Sequence, residues 1–227
     1  MKKLILFQGD SITDAARDRD NPTCLGMGYP SRVAGHLGAD RPGDFTFLNR
    51  GISGNRIVDI YARIKWDFIN LKPDYASIFV GVNDAWHEIE WQNGVEDEKF
   101  EKIYGMMIEE VQAACPGIRL MLISPFVLEG WATKATEEQP DRWDRFRTDV
   151  AAKAVAVRNV AEKYHLPLIE LQPIFDAACE QAPAEHWSVD GVHPTPAGHE
   201  LIKRAWLEAF EYLEERKKPT RPSRLFG

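Results

Sequence analysis

Short apolar, β-rich runs recur along the chain between longer stretches of helical periodicity, the pattern of a parallel sheet covered by helices on both faces. Five strands are predicted, at residues 3–8, 45–49, 75–81, 118–124 and 168–171, the last entered through Pro167. Between the second and third, Ile57, Ile60, Tyr61, Ile64, Phe68 and Leu71 fall mostly three or four residues apart. That spacing predicts one amphipathic helix, closed by Pro73. Residues 101–114 and 145–164 read as further helices. A last one carries Leu201, Ile202, Ala205, Ala209, Phe210 and Leu213, with Thr195 as its N-cap and Pro196 at its first position. Two stretches, 85–99 and 128–142, are too polar and irregular to join this rhythm and follow the third and fourth strands. Ligands of open α/β sheets bind beyond the carboxyl ends of the strands, so both are expected to wall a pocket.

Length and composition narrow the picture. At 227 residues, with 44% hydrophobic and 28% charged positions, the chain can bury a full core without disulfide or metal staples. No repeat or Gly/Ser linker divides it, so one domain is expected over 1–216, followed by a basic tail at 217–227. The net charge of −7 excludes a broad nucleic-acid or anionic-membrane footprint, which needs a basic face. Cys24, Cys115 and Cys179 are odd in number and widely spaced, and read as small buried hydrophobes. After Met1-Lys2-Lys3 the apolar run ends at Phe7, too short for a secretory signal or a membrane span, which predicts a cytoplasmic protein.

Four loops carry candidate chemistry. Gly9-Asp10-Ser11-Ile12-Thr13 follows the first strand directly, which sets a serine at a strand's carboxyl end before a helix. A serine hydroxyl is a weak nucleophile at neutral pH and needs a positioned base, which needs an orienting carboxylate. Asp190-Gly191-Val192-His193-Pro194, ahead of the last helix, offers both: Pro194 keeps His193 out of helical backbone, and Asp190 three residues upstream can reach its ring. Acyl transfer also needs donors for the developing oxyanion. Gly54, in Asn49-Arg50-Gly51-Ile52-Ser53-Gly54-Asn55, can turn a backbone N–H into a pocket, and Asn83, in Gly81-Val82-Asn83-Asp84, can supply a side-chain amide. Each loop taken alone also fits a helix cap or a turn.

Together, in this order and at these places, the four blocks resemble the SGNH, or GDSL-type, hydrolases over nearly the whole chain. The resemblance implies a three-layer α/β/α sandwich, flavodoxin-like, with a five-stranded parallel sheet. It also implies Ser11 as nucleophile, His193 as general base and Asp190 as orienting acid, with an oxyanion hole made by the N–H of Ser11, the N–H of Gly54 and the amide of Asn83. Ile12 stands where the family often has Leu. No cofactor and no metal is implied. Closer in, 51–55, 81–86 and 124–130 are similar to the bacterial acetylxylan-esterase branch, which implies deacetylation of xylo-oligosaccharides or related sugars. Members of that branch tend to carry Trp directly before the acid, whereas here Val189 does and Trp187 lies two residues earlier, implying a different pocket floor.

Asp10, Trp86, Trp91, Trp131 and Trp187 are the candidate substrate-binding residues, indole faces suiting both sugar rings and a small acyl pocket. Trp66, Trp143 and Trp206 are expected to be structural. A short-chain aryl- or thioesterase of the same family is the runner-up reading. From other classes, a metal-dependent phosphoesterase using Asp10, Asp190, His193 and His199 and a non-catalytic flavodoxin-like binding module are the alternatives. The expected partner is a small or oligosaccharide ester; exposed tryptophans and the Pro/Arg tail leave room for a homo-oligomer.

Overall fold

The computed structural model describes residues 2–215. Five strands, β1 (Lys3–Gly9), β2 (Phe45–Asn49), β3 (Tyr75–Phe79), β4 (Arg119–Ile123) and β5 (Leu168–Ile169), form one all-parallel sheet in the order β2-β1-β3-β4-β5. Within it the side chains alternate between two apolar layers. Ile5, Phe7, Tyr75, Phe79, Met121 and Ile123 face one, and Leu6, Ala76, Ile78, Leu120 and Leu122 face the other.

The first layer is covered by α2 (Tyr29–Asp40) and α10 (Pro196–Glu215), with Trp206 fully buried between Phe7 and Phe210. The second is covered by α3 (Ile57–Ala62), α4 (Ile64–Asp67) and α6 (Asp97–Ala114). The long α7 (Arg142–Lys163) buries Phe146 and Val150 in one layer and Ala156, Val157 and Val160 in the other, and so closes the sheet beside β4. The fold is the α/β sandwich that the sequence predicts.

Several local expectations need correction. The single helix over 57–71 is three pieces, α3, α4 and a 3₁₀ turn at Ile69–Leu71. Arg63 sits at the break with φ −112° and ψ 8°, its guanidinium committed to Arg50 O, Asn55 Oδ1 and Asp67. Ile57, Ile60, Ile64 and Phe68 still face the core, so the apolar spacing survives a break it does not reveal. The stretch 85–99 is helical at both ends, in α5 (Val82–Trp91), with Val82, Ala85 and Ile89 buried at helical spacing, and in the first residues of α6. Helix α2 and helix α8 (Leu171–Cys179) were not predicted, and Leu171, expected in a strand, opens α8. Trp66 is 76% exposed and packs no core.

Residues 128–141 hold neither helix nor strand, as expected. The cysteines among the described residues are all free, Cys115 buried and the other two half-buried. No described helix is long and apolar enough to cross a membrane. The basic tail lies outside the described residues.

Candidate active site

In a parallel sheet all carboxyl ends share one edge, and the chain leaves β1 toward β2 on one side and later β3 on the other. The crevice therefore opens where those connections diverge. Ser11 begins α1 (Ser11–Asp14) immediately beyond β1, and Asp10 caps that turn by accepting the Ile12 N–H at 3.0 Å. Ser11 Oγ lies 2.9 Å from His193 Nε2, and His193 Nδ1 lies 2.6 Å from Asp190 Oδ2. Residues 182 positions apart thus meet in one hydrogen-bonded line.

The loop that presents His193 is built by its own acid. Asp190 Oδ1 accepts the N–H groups of Val192 at 2.8 Å and His193 at 2.7 Å, while Oδ2 holds the ring. The irregular segment after β4 braces this loop from outside: Leu128 N–H donates to Gly191 O and Ala132 N–H to Asp190 O. Burial alone would raise the Asp190 pKa, but the bonds from the His193 ring and from two backbone N–H groups outweigh it and hold the carboxyl below its ordinary range. The same Asp190 bond raises His193 above the ordinary imidazole value, against the opposing effect of burial.

The second strand's loop supplies the facing wall. Asn49, buried, accepts the Gly51 N–H and donates to the carbonyls of Thr13 and Leu25. Gly51 sits so close to α1 that a Cβ there would lie 2.3 Å from Asp14 N. Asp14 accepts both the Ser53 N–H at 3.0 Å and the Ser53 hydroxyl at 3.1 Å. Gly54 follows at φ +82°, a conformation open to glycine, with its N–H free of any acceptor among the described residues. The Ser11 N–H is likewise free among the described residues. Asn83 Nδ2 donates one proton to Asn55 O at 3.2 Å, which turns the amide toward this loop and leaves its second proton for a ligand. The N–H groups of Ser11 and Gly54 and the second Asn83 amide proton are thus left without an acceptor among the described residues.

A cleft of about 440 Å³ opens beside Ser11 and His193, walled by Ile12, Ala15, Ala16, Met27, Pro194 and Pro196. Ala15 and Ala16 hold φ of +42° and +59°, left-handed conformations that cost L-residues about 1–2 kcal/mol each. His199 at its edge accepts the Tyr29 N–H on Nδ1, and burial pushes its pKa down to about 4, so it stays neutral there.

The tryptophans divide. Trp86, half-buried on α5, brings its ring within 6.0 Å of the His193 ring. Trp131 stands 68% exposed on the turn that braces Asp190, and Trp91, 64% exposed, stacks edge-on with His87 at the far end of α5. Trp187 spends its indole N–H on Ala182 O within its own loop. Asp10 is a correction: the carboxyl is wholly buried as a cap and offers a substrate no atom. The metal alternative also lacks its geometry, because both His193 nitrogens are engaged and no group of three or more potential ligands gathers among the described residues. Asp14, and the contacts of Asn49 with Thr13 and of Arg63 with Gly9 that hold the donor loop, were missed because the partners lie far away in sequence.

Residues 7–201 match the GDSL-like lipase/acylhydrolase family. The chain belongs to that family. An acetylxylan esterase of Geobacillus stearothermophilus is 31% identical over 223 residues, 93% of this chain and 96% of that one. Among solved structures, Axe2, an acetylxylan esterase from the same organism, superposes with a TM-score of 0.79 at 30% identity, covering 91% of this chain and 93% of its own. A GDSL-like lipase from Parabacteroides merdae superposes with a TM-score of 0.80 at 34% identity, covering 93% and 97%. As a GDSL family member the protein is an esterase or acylhydrolase, with a carboxylic ester as its substrate class.

One buried acid of this GDSL protein makes a stability prediction. Asp84, beside Asn83, caps α3 by accepting the Ile57 N–H, and burial raises its pKa from 3.8 to about 8. Below about pH 4 folded and unfolded forms both hold the proton, and between 4 and 8 only the unfolded chain releases it, so stability is lost as pH rises through that window. Asp84→Asn keeps the acceptor without the charge. Its melting temperature relative to the unsubstituted protein should climb by several degrees from pH 4.5 to 8. Parallel melting curves with a constant gap would contradict this.

Proposed function

We propose that the protein is a serine esterase that removes short acyl groups, acetyl foremost, from xylo-oligosaccharides or related sugars. Ser11 is the nucleophile, His193 the general base and Asp190 the acid that orients it. The observation that carries this reading is the hydrogen-bonded line from Ser11 Oγ through His193 to Asp190, at 2.9 and 2.6 Å. The choice of acetylated sugars rests on the family and on relatives named as acetylxylan esterases.

In the reaction Ser11 Oγ attacks the acyl carbonyl while His193 Nε2 takes its proton. The carbonyl oxygen gains negative charge within reach of the Ser11 and Gly54 N–H groups and the Asn83 amide, which hold it without reorganising. His193 then returns the proton to the departing sugar hydroxyl, leaving an acyl-serine. Water, activated by the same ring, releases the acid and restores Ser11. Asp190 keeps the proton on Nδ1 and steadies the imidazolium. Because Asp190 holds His193 above the ordinary imidazole pKa, the rising limb of kcat/KM against pH should lie above about 6.5. A rate that is flat from pH 5 to 8 contradicts His193 as base.

The cleft beside Ser11 favours a second reading. Its walls are mostly apolar and carry no carboxylate, Lys or Arg, which suits an aryl or short alkyl group as well as the C–H face of a sugar. A panel separates the two. The first reading expects acetate release from acetylated xylo-oligosaccharides to outpace hydrolysis of butyryl to octanoyl aryl esters; the reverse order, with the sugars untouched, selects the second.

A further inference from the structure

Behind the donor loop at 51–55 four arginines, Arg17, Arg19, Arg50 and Arg63, gather around two carboxylates, in a protein whose formal charge is −7. Both carboxylates are already engaged. Asp14 takes Arg19 at 2.6 Å together with Ser53, and Asp67 takes Arg63 at 2.7 Å. Arg17 and Arg50 are left over. Arg17 spends its Nε–H on Gly51 O at 2.9 Å and has no ion-pair partner among the described residues. Arg50 reaches Asp67 only at 3.9 Å, beyond hydrogen-bond distance, and its buried Nε–H has no acceptor.

Elsewhere Arg41, Arg56, Arg119, Arg142 and Arg158 each meet a carboxylate, whereas Arg32 and Arg145 form no ion pair among the described residues and the buried Arg32 Nε–H also lacks an acceptor. Here the surplus positive charges stand against one another. Burial chiefly lowers the proton affinity of Arg17; Asp14 offsets part of that, the charges of Arg19 and Arg50 add to the lowering, and Asp67 opposes it least. Asp18 and Asp20, exposed on the same turn, form no ion pair with any of the four among the described residues.

The cluster shares its scaffold with the candidate active site. Arg17 holds the carbonyl of Gly51, and Ser53, two residues on, lines the Ser11 cleft while bonding to Asp14. We infer that Arg17 and Arg50 form a subsite for a carboxylate carried by the substrate, so that the preferred ester is an acidic sugar, one bearing a uronate beside its acyl group. This rests on the reading of Ser11 as nucleophile. A planar carboxylate matches the terminal Nη groups of Arg17 and Arg50, neither of which hydrogen-bonds a carboxylate among the described residues, and offsets the repulsion between them. It also gives an acidic ligand a local attraction in a protein whose overall charge repels it.

The test compares acetylated xylo-oligosaccharides with and without a glucuronate branch. The unsubstituted enzyme should show a KM about tenfold lower for the acidic substrate, an advantage that shrinks as salt rises from 20 to about 500 mM. Arg50→Gln should bring the two KM values together with kcat kept on both, and Arg17→Gln should do the same even where its lost bond to Gly51 slows every substrate. Equal KM values in the unsubstituted enzyme, or a preference that survives Arg50→Gln, overturns the inference. Calorimetry on Ser11→Ala with the unacetylated acidic sugar reads the subsite apart from catalysis. Binding that Arg50→Gln abolishes supports it even if Ser11 proves not to be the nucleophile. If inorganic phosphate binds there while the acidic sugar does not, the site holds free anions and the substrate assignment falls.

Discussion

Ser11→Ala should lower kcat/KM on an acetyl ester by about a millionfold, the scale on which removing a serine nucleophile abolishes a triad's work. The loss should be confined to chemistry. Ser11 Oγ is hydrogen-bonded to His193 alone, while the turn it opens is capped by Asp10 and tied through Asn49 to the loop after β2. The variant's melting temperature should therefore stay within about 2 °C of the unsubstituted protein. Residual hydrolysis well above background would persist from the donors at Gly54 and Asn83, since they act on the oxyanion whichever nucleophile arrives. A roughly millionfold slower acetate release beside an unchanged melting curve is the expected pair of observations. Activity within tenfold of the parent would remove Ser11 from the reaction.

Asp190→Asn should cost about ten-thousandfold in kcat. An asparagine in place of the acid keeps an oxygen for the Val192 and His193 N–H groups, so the loop should retain its shape. Where Oδ2 now accepts from Nδ1, however, an amide would present N–H, and the ring would carry its proton on Nε2 instead. That proton would face Ser11 Oγ, and the ring could no longer take one from it. The bond that raises the His193 pKa would vanish too, leaving burial to depress it, so whatever activity remains should rise at lower pH than in the parent. A pH profile of the variant against the parent reads both effects. A full-rate enzyme with an unmoved limb would show that Asp190 only shapes the loop.

Much of this was legible before any coordinates, for physical reasons that differ by element. The strands were readable because each is short, apolar on both faces and bounded by polar or Gly/Pro turns. β2 was placed to the residue. The contacts of the Ser11 and His193 blocks were readable because they depend on local backbone: a tight turn after a strand, and an Asp that reaches a His three residues on. Helix α2 was missed although Tyr29, Val33 and Leu37 are buried four residues apart, since polar and small residues dilute that stripe. Helix α5 was hidden by Trp86, His87 and Trp91, which in sequence look like loop-borne pocket residues. The scaffold of the donor loop was beyond reach. Nothing near Asp14 announces that it will hold Ser53, 39 positions on, nor does Arg63 announce Gly9 and Arg50. Asp10 erred in the opposite direction, its neighbour's chemistry lending it a ligand role that its burial denies.

The line from Ser11 to His193 joins the first strand to the loop before the last helix, and this has a consequence for synthesis. During translation Ser11, Gly54 and Asn83 emerge early, but His193 and Asp190 arrive only with the final fifth of the chain. Helix α10, whose Trp206 and Phe210 pack on β1 and β2 residues, follows them. On the proposed triad, a nascent chain lacks its base until its end has docked against its beginning, so a truncated fragment carries Ser11 without the partner at His193 Nε2. Full-rate hydrolysis would then double as an assay of completed folding, reporting that the loop before the last helix has docked on the first strand's turn.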